Sequence, residues 1–128
     1  MADLRRWVVV DAANVVGSRP DGWWRDRAGA ARKLVAGMAG LPERLGAAGV
    51  IVVLEGAARA AVPAPGHVGG LRVVLADGSG DDAIVGVVAE VLGSGPITVV
   101  TADRELRARV EALGAETVGP RWLRDLIE

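Results

Sequence analysis

The stretch W-V-V-V-D-A-A-N, residues 7–14, decides the fold. Its apolar run predicts a buried strand that ends in the carboxylate of Asp11. Three further apolar runs end in the same way, in V-I-V-V-L-E at Glu55, L-R-V-V-L-A-D at Asp77 and I-T-V-V-T-A-D at Asp103. Short continuous runs of Val, Ile and Leu are typical of parallel strands covered on both faces. Because ligands of an open parallel sheet bind outside the carboxyl ends of its strands, these acidic residues predict a cation site.

The composition indicates one globular domain with a core of small apolar residues. The chain has 128 residues, of which 51% are hydrophobic but only 3% aromatic, so Val, Ala, Leu and Ile must build the core. This length predicts a single domain over 1–128. The net charge of −1 does not by itself indicate a nucleic-acid-binding protein, and the absence of Cys excludes disulfides and thiolate zinc sites. With no apolar run of ~18 residues, we expect a cytoplasmic protein without membrane contact. We also expect a monomer or a weak homodimer.

Strands and helices alternate along the sequence. The other strands are predicted at 50–54, 71–75, 97–100 and 115–118, and the helices at 23–45, within the segment after Asp77, at 104–113 and at 121–127. Pro42 is expected to kink or divide the long helix. Loops are predicted at 16–22 and over most of 57–70, where Pro and Gly are frequent. The alternation predicts an α/β fold, a three-layer α/β/α sandwich with right-handed crossovers around a mostly parallel five-stranded sheet.

Other α/β classes with acidic strand ends fit the spacing less well. A dehalogenase-type phosphatase needs a second Asp two residues after the first, where this chain has Ala13. A phospho-receiver needs a lysine near the end of a late strand, but Lys33 is the only lysine. A nucleotide-binding Rossmann protein is the subtler alternative, because residues 78–83 fit G-x-G-x-x-A. Asp81 and Asp82 would, however, repel the pyrophosphate that this motif binds.

Three motifs carry a resemblance to a known family: Asp11 with Asn14 in V-V-V-D-A-A-N, Asp81 with Asp82 in S-G-D-D-A-I-V, and Asp103 with Glu105 in V-V-T-A-D-R-E-L. In these motifs the chain resembles the PIN-like nucleases, in particular the NYN branch of YacP-like ribonucleases. The resemblance spans nearly the whole chain and implies the sheet order 3-2-1-4-5, which sets Asp11 opposite Asp103. It also implies a metal-dependent endoribonuclease that cuts single-stranded RNA and leaves a 5′-phosphate.

Carboxylates gathered at one edge of a sheet require a counter-charge. Two of them about 4 Å apart repel by about 4 kcal/mol at an effective dielectric of about 20. Oxygen ligands, without Cys and with one remote His, favour Mg²⁺ or Mn²⁺ over zinc. We expect Asp11 and Asp103 to be direct ligands and Asp81 or Asp82 to be a ligand or a base that positions water. Asn14 is expected to orient Asp11 or to contact the phosphate.

Each acidic residue also has a structural interpretation. Ser79 and Asp82 fit the capping box [ST]-x-x-[DE], which favours Asp81 as the functional member of the pair. Asp103 is placed to cap the helix that follows it, whereas no cap is evident at Asp11. If all these roles are structural, the chain is a non-catalytic RNA- or protein-binding module on the same fold.

The segment after the first strand is the basic part of the sequence. We expect Arg19, Arg25 and Arg27 to follow RNA phosphates, because they neighbour the predicted site. Trp23 and Trp24 are adjacent and cannot share a helix face. Either both tryptophans pack in the core, which is the favoured interpretation, or one packs and the other, assigned to Trp24, is exposed to stack on a base.

Four further positions complete the prediction. Glu55 and Asp77 are expected at the rim of the site. Ala12 and Ala13 stand where YacP-like sequences more often have Gly and Tyr, which removes an aromatic side chain that could hold substrate. The metal chemistry does not depend on that side chain.

Overall fold

The computed structural model describes residues 5–128, which form one six-stranded sheet surrounded by helices. The strands are β1 (Trp7–Asp11), β2 (Gly49–Leu54), β3 (Gly66–Val68), β4 (Leu71–Leu75), β5 (Ile97–Val100) and β6 (Glu116–Val118). The helices are α1 (Ala12–Gly17), α2 (Arg27–Gly37), α3 (Leu41–Leu45), α4 (Gly80–Val91), α5 (Arg104–Ala112) and α6 (Pro120–Ile127), with 3₁₀ turns at Trp23–Arg25 and Gly56–Ala61. Within this part of the chain, no helix is both long enough and apolar enough to cross a bilayer.

The sheet has the order β3-β4-β2-β1-β5-β6. Its five parallel strands follow the predicted order 3-2-1-4-5, but the predicted strand count is wrong. The additional strand β3 pairs antiparallel with β4, with His67 opposite Arg72. Gly69 and Gly70 have φ angles of 58° and 82° and form the two-residue turn between these strands. This backbone conformation is the one that tight hairpins require, so part of the loop predicted at 57–70 is a hairpin strand.

The helix predicted at 23–45 is divided before Pro42. The break follows α2, where Gly40 adopts a φ of 76°, and Pro42 lies in the first turn of α3. A proline is tolerated in the first turn because a backbone N–H at that position would have no acceptor within the helix. At the N-terminus of α2, Asp26 is the N-cap, and its Oδ1 accepts the backbone N–H of Gly29 at 2.9 Å. The basic segment is therefore a 3₁₀ turn followed by two helices.

The core lies on both faces of the sheet, and β1 belongs to both halves. Val8 and Val10 pack on one face with residues of α2 and α6. Val9 packs on the other face with residues of α4 and α5. Because all three valines are 0% exposed, β1 carries Asp11 to the carboxyl edge of the sheet from the centre of the molecule.

Candidate functional site

Asp11 ends β1 and is itself the N-cap of α1. Asp11 is buried, with only 6% of the residue exposed. Oδ2 accepts a hydrogen bond from the Thr101 hydroxyl at 2.9 Å, and Oδ1 accepts the backbone N–H of Asn14 at 3.3 Å. The prediction that no cap is needed here is wrong, because α1 follows the strand directly and its first N–H groups need acceptors.

Thr101 and Asn14 connect the end of β1 to the segment after β5. Thr101 is fully buried, and its Oγ1 also accepts the backbone N–H of Asp103 at 3.1 Å. The side-chain oxygen of Asn14 accepts the backbone N–H of Ala102 at 2.8 Å. The sequence analysis did not single out Thr101. It is a polar residue at the end of an apolar strand, and that is the signal that could have identified it.

Asp103 follows β5 and caps α5, as the sequence predicted. Its Oδ1 accepts the backbone N–H of Leu106 at 3.0 Å. Strands β1 and β5 are parallel neighbours, with Val10 opposite Val100. Asp11 and Asp103 therefore lie at the same edge of the sheet and share Thr101 as a hydrogen-bond partner.

Asp81 and Asp82 begin α4 but have different surroundings. The hydroxyl of Ser79 accepts the backbone N–H of Asp82 at 3.2 Å, so Ser79 is the N-cap. The carboxylate of Asp82 pairs with Arg109 at 2.9 Å, and its side chain is 73% exposed. Asp81 instead lies close enough to Asp103 for the negative charge of Asp103 to raise the pKa of Asp81.

Glu55 is a member of the site that the sequence analysis placed at its rim. It follows β2, and its Oε2 accepts the backbone N–H of Gly80 at 2.7 Å. A Cβ at position 80 would lie 2.7 Å from the Glu55 carboxyl carbon, so glycine permits this approach. The negative charge of Glu55 is also favourable at the N-terminus of a helix. Glu55 thus fixes the start of α4, which carries Asp81.

Burial raises the pKa of Asp11 above its ordinary value, because it disfavours the charged form. Hydrogen bonds from Thr101 and Asn14 lower this pKa in part. The negative charges of Asp81 and Glu55 raise it further. The hydrogen bonds from Thr101 and Asn14 therefore favour the carboxylate form of Asp11, whereas its burial and its acidic neighbours disfavour that form.

The pKa of Asp81 is raised as well, again first by burial. The charges of Asp103 and Glu55 add to the rise, and Arg109 opposes it. Asp11, Glu55, Asp81 and Asp103 thus form one electrostatically coupled group, which we call the acidic cluster.

In EDTA, we expect protonation of Asp11 and Asp81 to make the protein more stable as the pH falls from neutral towards the ordinary carboxyl value of 3.8. A carboxyl whose pKa rises on folding binds its proton more tightly in the folded chain, so protonation favours folding at pH values above the ordinary 3.8. Thermal unfolding across this range measures the effect. Asp11→Asn should flatten the profile, whereas Asp77→Asn, at the end of β4, should retain it. A wild-type melting temperature that falls over this range would contradict the coupling.

The donor atoms of the acidic cluster are all oxygens, which suits a hard cation such as Mg²⁺ or Mn²⁺. The arrangement is not a finished coordination shell: over residues 5–128, no group of three or more His, Cys, Asp or Glu side chains is placed to hold an ion. Asp11 and Asp103 each use a carboxylate oxygen as a helix cap. The donor chemistry therefore fits a divalent cation, and binding would require side chains of the cluster to turn towards it.

Three of the four predicted RNA-contacting residues lie together near the 3₁₀ turn Trp23–Arg25. Trp24 is 51% exposed, and Trp23 is half-buried beneath it, with the ring centroids 6.0 Å apart in an edge-to-face contact. The Arg25 guanidinium lies 5.8 Å from the Trp24 ring centroid, and that of Arg27 lies 5.2 Å from the Trp23 centroid. The expectation that both tryptophans pack in the core is wrong, because Trp24 is exposed. The arrangement fits the alternative of one packed and one exposed ring, and stacking of Trp24 on a base stays a prediction.

Arg19 is placed differently from these residues. Its guanidinium pairs with Glu128 at 2.6 Å. It lies at an open groove of about 650 Å³ that also includes Asn14, Arg121 and Arg124. The groove lies between α1 and α6, and Asn14 and Ala102 line its end nearest to the acidic cluster.

The fold is similar to that of Rae1 (YacP) from Bacillus subtilis. A crystal structure of a point mutant of that protein matches with a TM-score of 0.75 at 20% identity, covering 95% of this chain and 74% of that chain. A second crystal structure matches with a TM-score of 0.74 at 21% identity, covering 98% and 73%. The two proteins share a fold. No family model and no curated protein matches the sequence. The comparison thus supports the fold that the motifs of the YacP-like ribonucleases implied.

Proposed function

We propose that the protein is a divalent-metal-dependent endoribonuclease that hydrolyses phosphodiester bonds of single-stranded RNA. The observation that carries this proposal is the acidic cluster, in which carboxylates following β1, β2 and β5 and one from α4 lie at the carboxyl edge of the sheet, close enough for their charges to raise the pKa of Asp11 and of Asp81. The fold shared with Rae1 (YacP) supports it, because the sequence resembles YacP-like ribonucleases in the motifs that supply three of these carboxylates.

In the proposed enzyme, Asp11, Asp81 and Asp103 would hold Mg²⁺ or Mn²⁺. The bound ion would neutralise charge on the scissile phosphate and make a water molecule more acidic. Thr101 and Asn14 hold Asp11 in place by their hydrogen bonds. Asp81 would serve either as a further ligand of the ion or as the base that positions the attacking water.

Asp82 has a supporting place in this proposal. Its pairing with Arg109 holds it at the exposed side of α4, so we assign the chemical role to Asp81. Glu55 positions Asp81 through the N-terminus of α4.

Cleavage of a generic single-stranded RNA tests the proposal. We expect cutting with Mn²⁺, none with EDTA, and products that carry a 5′-phosphate. If the protein neither binds Mn²⁺ nor cuts RNA, it is a non-catalytic RNA- or protein-binding module. Tight binding of NAD or ATP without a divalent ion would instead indicate a nucleotide-binding Rossmann protein.

Reversing Arg25 and Arg27 to Glu should weaken RNA binding and flatten its dependence on salt. Each phosphate contact on a single strand contributes about 0.7 to the slope of log K against log salt concentration, so two contacts contribute about 1.4. Dissociation constants measured over a range of salt concentrations in EDTA give the slope.

Arg32→Glu with Lys33→Glu is the matched control for that experiment. Both residues are exposed on α2, and their reversal changes the net charge by the same amount. Equal flattening in the two double variants would show a general charge effect and would remove Arg25 and Arg27 from the RNA path.

A further inference from the structure

A cavity of about 450 Å³ lies beside the acidic cluster, between α1 and the 3₁₀ turn Gly56–Ala61. Most of its lining consists of small side chains, including those of Ala12, Ala13 and Ala58. Glu55 belongs both to this lining and to the acidic cluster. Because Glu55 borders both, a ligand with one group at the acidic cluster can place the adjacent group in the cavity. We call this space the aromatic cavity, after the one aromatic residue in its lining, Trp23.

Trp23 is held in place on more than one side. The ring of Trp24 meets it nearly at right angles, with an interplanar angle of 88°. The Arg27 guanidinium lies 5.2 Å from its ring centroid, in a cation–π contact. Trp23 is half-buried, and the backbone N–H of Asp26 donates to its carbonyl oxygen at 3.2 Å. The cavity thus has a preorganised indole at its wall.

Arg27 adds a cation at the same place. Its side chain is exposed and lines the cavity together with Trp23. Residues 5–128 provide it with no carboxylate within ion-pair distance, because the ion pairs of this part of the chain involve Arg6, Arg19, Arg72, Arg109 and Arg124. Its charge is therefore available to an anionic group of a ligand that stacks on Trp23.

We propose that the aromatic cavity binds one nucleobase of the RNA, next to the phosphate held at the acidic cluster. This inference rests on the proposed function and assigns it a base-binding subsite. A nucleobase is flat and apolar on its faces, so it can stack on the Trp23 indole above a floor of small side chains. Its sugar-phosphate continues in one direction towards Glu55 and the acidic cluster, and Arg27 contacts a phosphate on the other side.

Trp23 is a better candidate than Trp24 for fixing the position of a base beside the acidic cluster. Trp24 is the more accessible of the two tryptophans, but it is not part of the cavity lining. A base that stacked on Trp24 would lie on the open surface. A base on Trp23 is enclosed beside the acidic cluster, so its position is fixed relative to the phosphate.

Binding of short RNAs with and without a base tests this subsite. The probes are a single-stranded hexanucleotide and six copies, each with one abasic nucleotide at a different position, measured with Ca²⁺ in place of Mn²⁺ so that the acidic cluster has a cation to hold the phosphate. For wild type, we expect one abasic position to weaken binding roughly 10-fold, the usual order for loss of one stacked base. Trp23→Leu should weaken binding of the intact RNA by a similar factor and make all seven probes nearly equal.

Two further variants keep the experiment decisive. Trp24→Leu is the matched comparison, because it removes the neighbouring indole but leaves the cavity lining intact. It should weaken binding of the seven probes overall, because Trp24 supports Trp23 and is itself exposed to RNA, but it should keep the discrimination against the abasic position that the cavity reads. Ala58→Leu fills the cavity while leaving Trp23 in place, and it should abolish the discrimination. Thermal unfolding of each variant shows that the fold is kept. If Trp23→Leu and Ala58→Leu still discriminate, or if Trp24→Leu alone loses the effect, the subsite is not this cavity.

The proposed function and the subsite can fail separately. Cleavage by wild type with Mn²⁺, together with discrimination that is unaffected by Trp23→Leu and Ala58→Leu, would leave an endoribonuclease without this subsite. Discrimination that depends on Trp23, without cleavage in Mn²⁺, would leave a base-binding protein that is not a nuclease.

Discussion

Asp11→Asn is expected to lower metal-dependent cleavage of single-stranded RNA by at least about 100-fold. The lower bound follows from the outer partners of metal ligands, whose loss alone typically costs about 10–100-fold in metal affinity or activity. Asn has the same length as Asp and can still accept the backbone N–H of Asn14, so the cap of α1 is retained. The substitution therefore removes the charge of the buried carboxylate with little change in shape. The measurement is kcat/KM over a range of Mn²⁺ concentrations.

Asp77→Asn is the matched control for this loss. Asp77 also follows a parallel strand, but it is exposed beyond β4, which β2 separates from β1. Its charge is not among those that raise the pKa of Asp11 or Asp81. We expect near wild-type cleavage from this variant. Cleavage by Asp11→Asn at the wild-type rate, or an equal loss in both variants, would remove Asp11 from the chemistry.

The parts of the fold predicted from sequence are those with strong local patterns. β1, β2, β4 and β5 are short apolar runs that end in polar residues, and all four were placed within a residue or two. The helix predicted after Asp103 also has its own signals, a capping residue at the start and Gly114 just after the end. The sheet order came from the resemblance to YacP-like ribonucleases rather than from the pattern of the strands.

The parts that were missed depend on contacts between distant residues or on short turns. Thr101 and Asp11 are 90 positions apart, so no local pattern reveals their hydrogen bond. β3 has three residues, all exposed, and depends on the Gly69–Gly70 turn more than on its side chains. α1 has six residues and begins at a cap that also ends a strand. The positions of such short elements depend on turns and caps, and the spacing of apolar residues does not predict them.

Glu55 could have been identified from the sequence. The predicted order placed the second strand beside the first and the third strand further out, so Glu55 had to lie nearer to Asp11 than Asp77 did. The structure has this arrangement, with β2 between β1 and β4. The choice between Asp81 and Asp82 needed the structure, because it depends on distant residues: Asp82 is exposed and pairs with Arg109, whereas Asp81 is partly buried near Asp103 and Glu55.

Asp103→Asn should melt at a higher temperature than wild type in EDTA and should respond less to added Mn²⁺. Without a cation, the charge of Asp103 opposes that of Asp81, so neutralising it relieves repulsion in the folded state. Asparagine caps helices about as well as aspartate, so the hydrogen bond from Leu106 is expected to remain. In wild type, Mn²⁺ at about 100 times its Kd should add about 2.7 kcal/mol of stability, which corresponds to a rise of several degrees in Tm.

Asp26→Asn separates the effect of the charge from that of the cap. Asp26 caps α2 with the same hydrogen-bond pattern, its Oδ1 accepting the N–H three residues on, that of Gly29, at 2.9 Å, but it lies outside the acidic cluster. This control should melt close to wild type in EDTA and show the full rise with Mn²⁺, because its cap survives and the cluster is untouched. If Asp103→Asn behaves like Asp26→Asn, with an equal rise in Mn²⁺, then Asp103 is a helix cap alone, and the metal must be held without it.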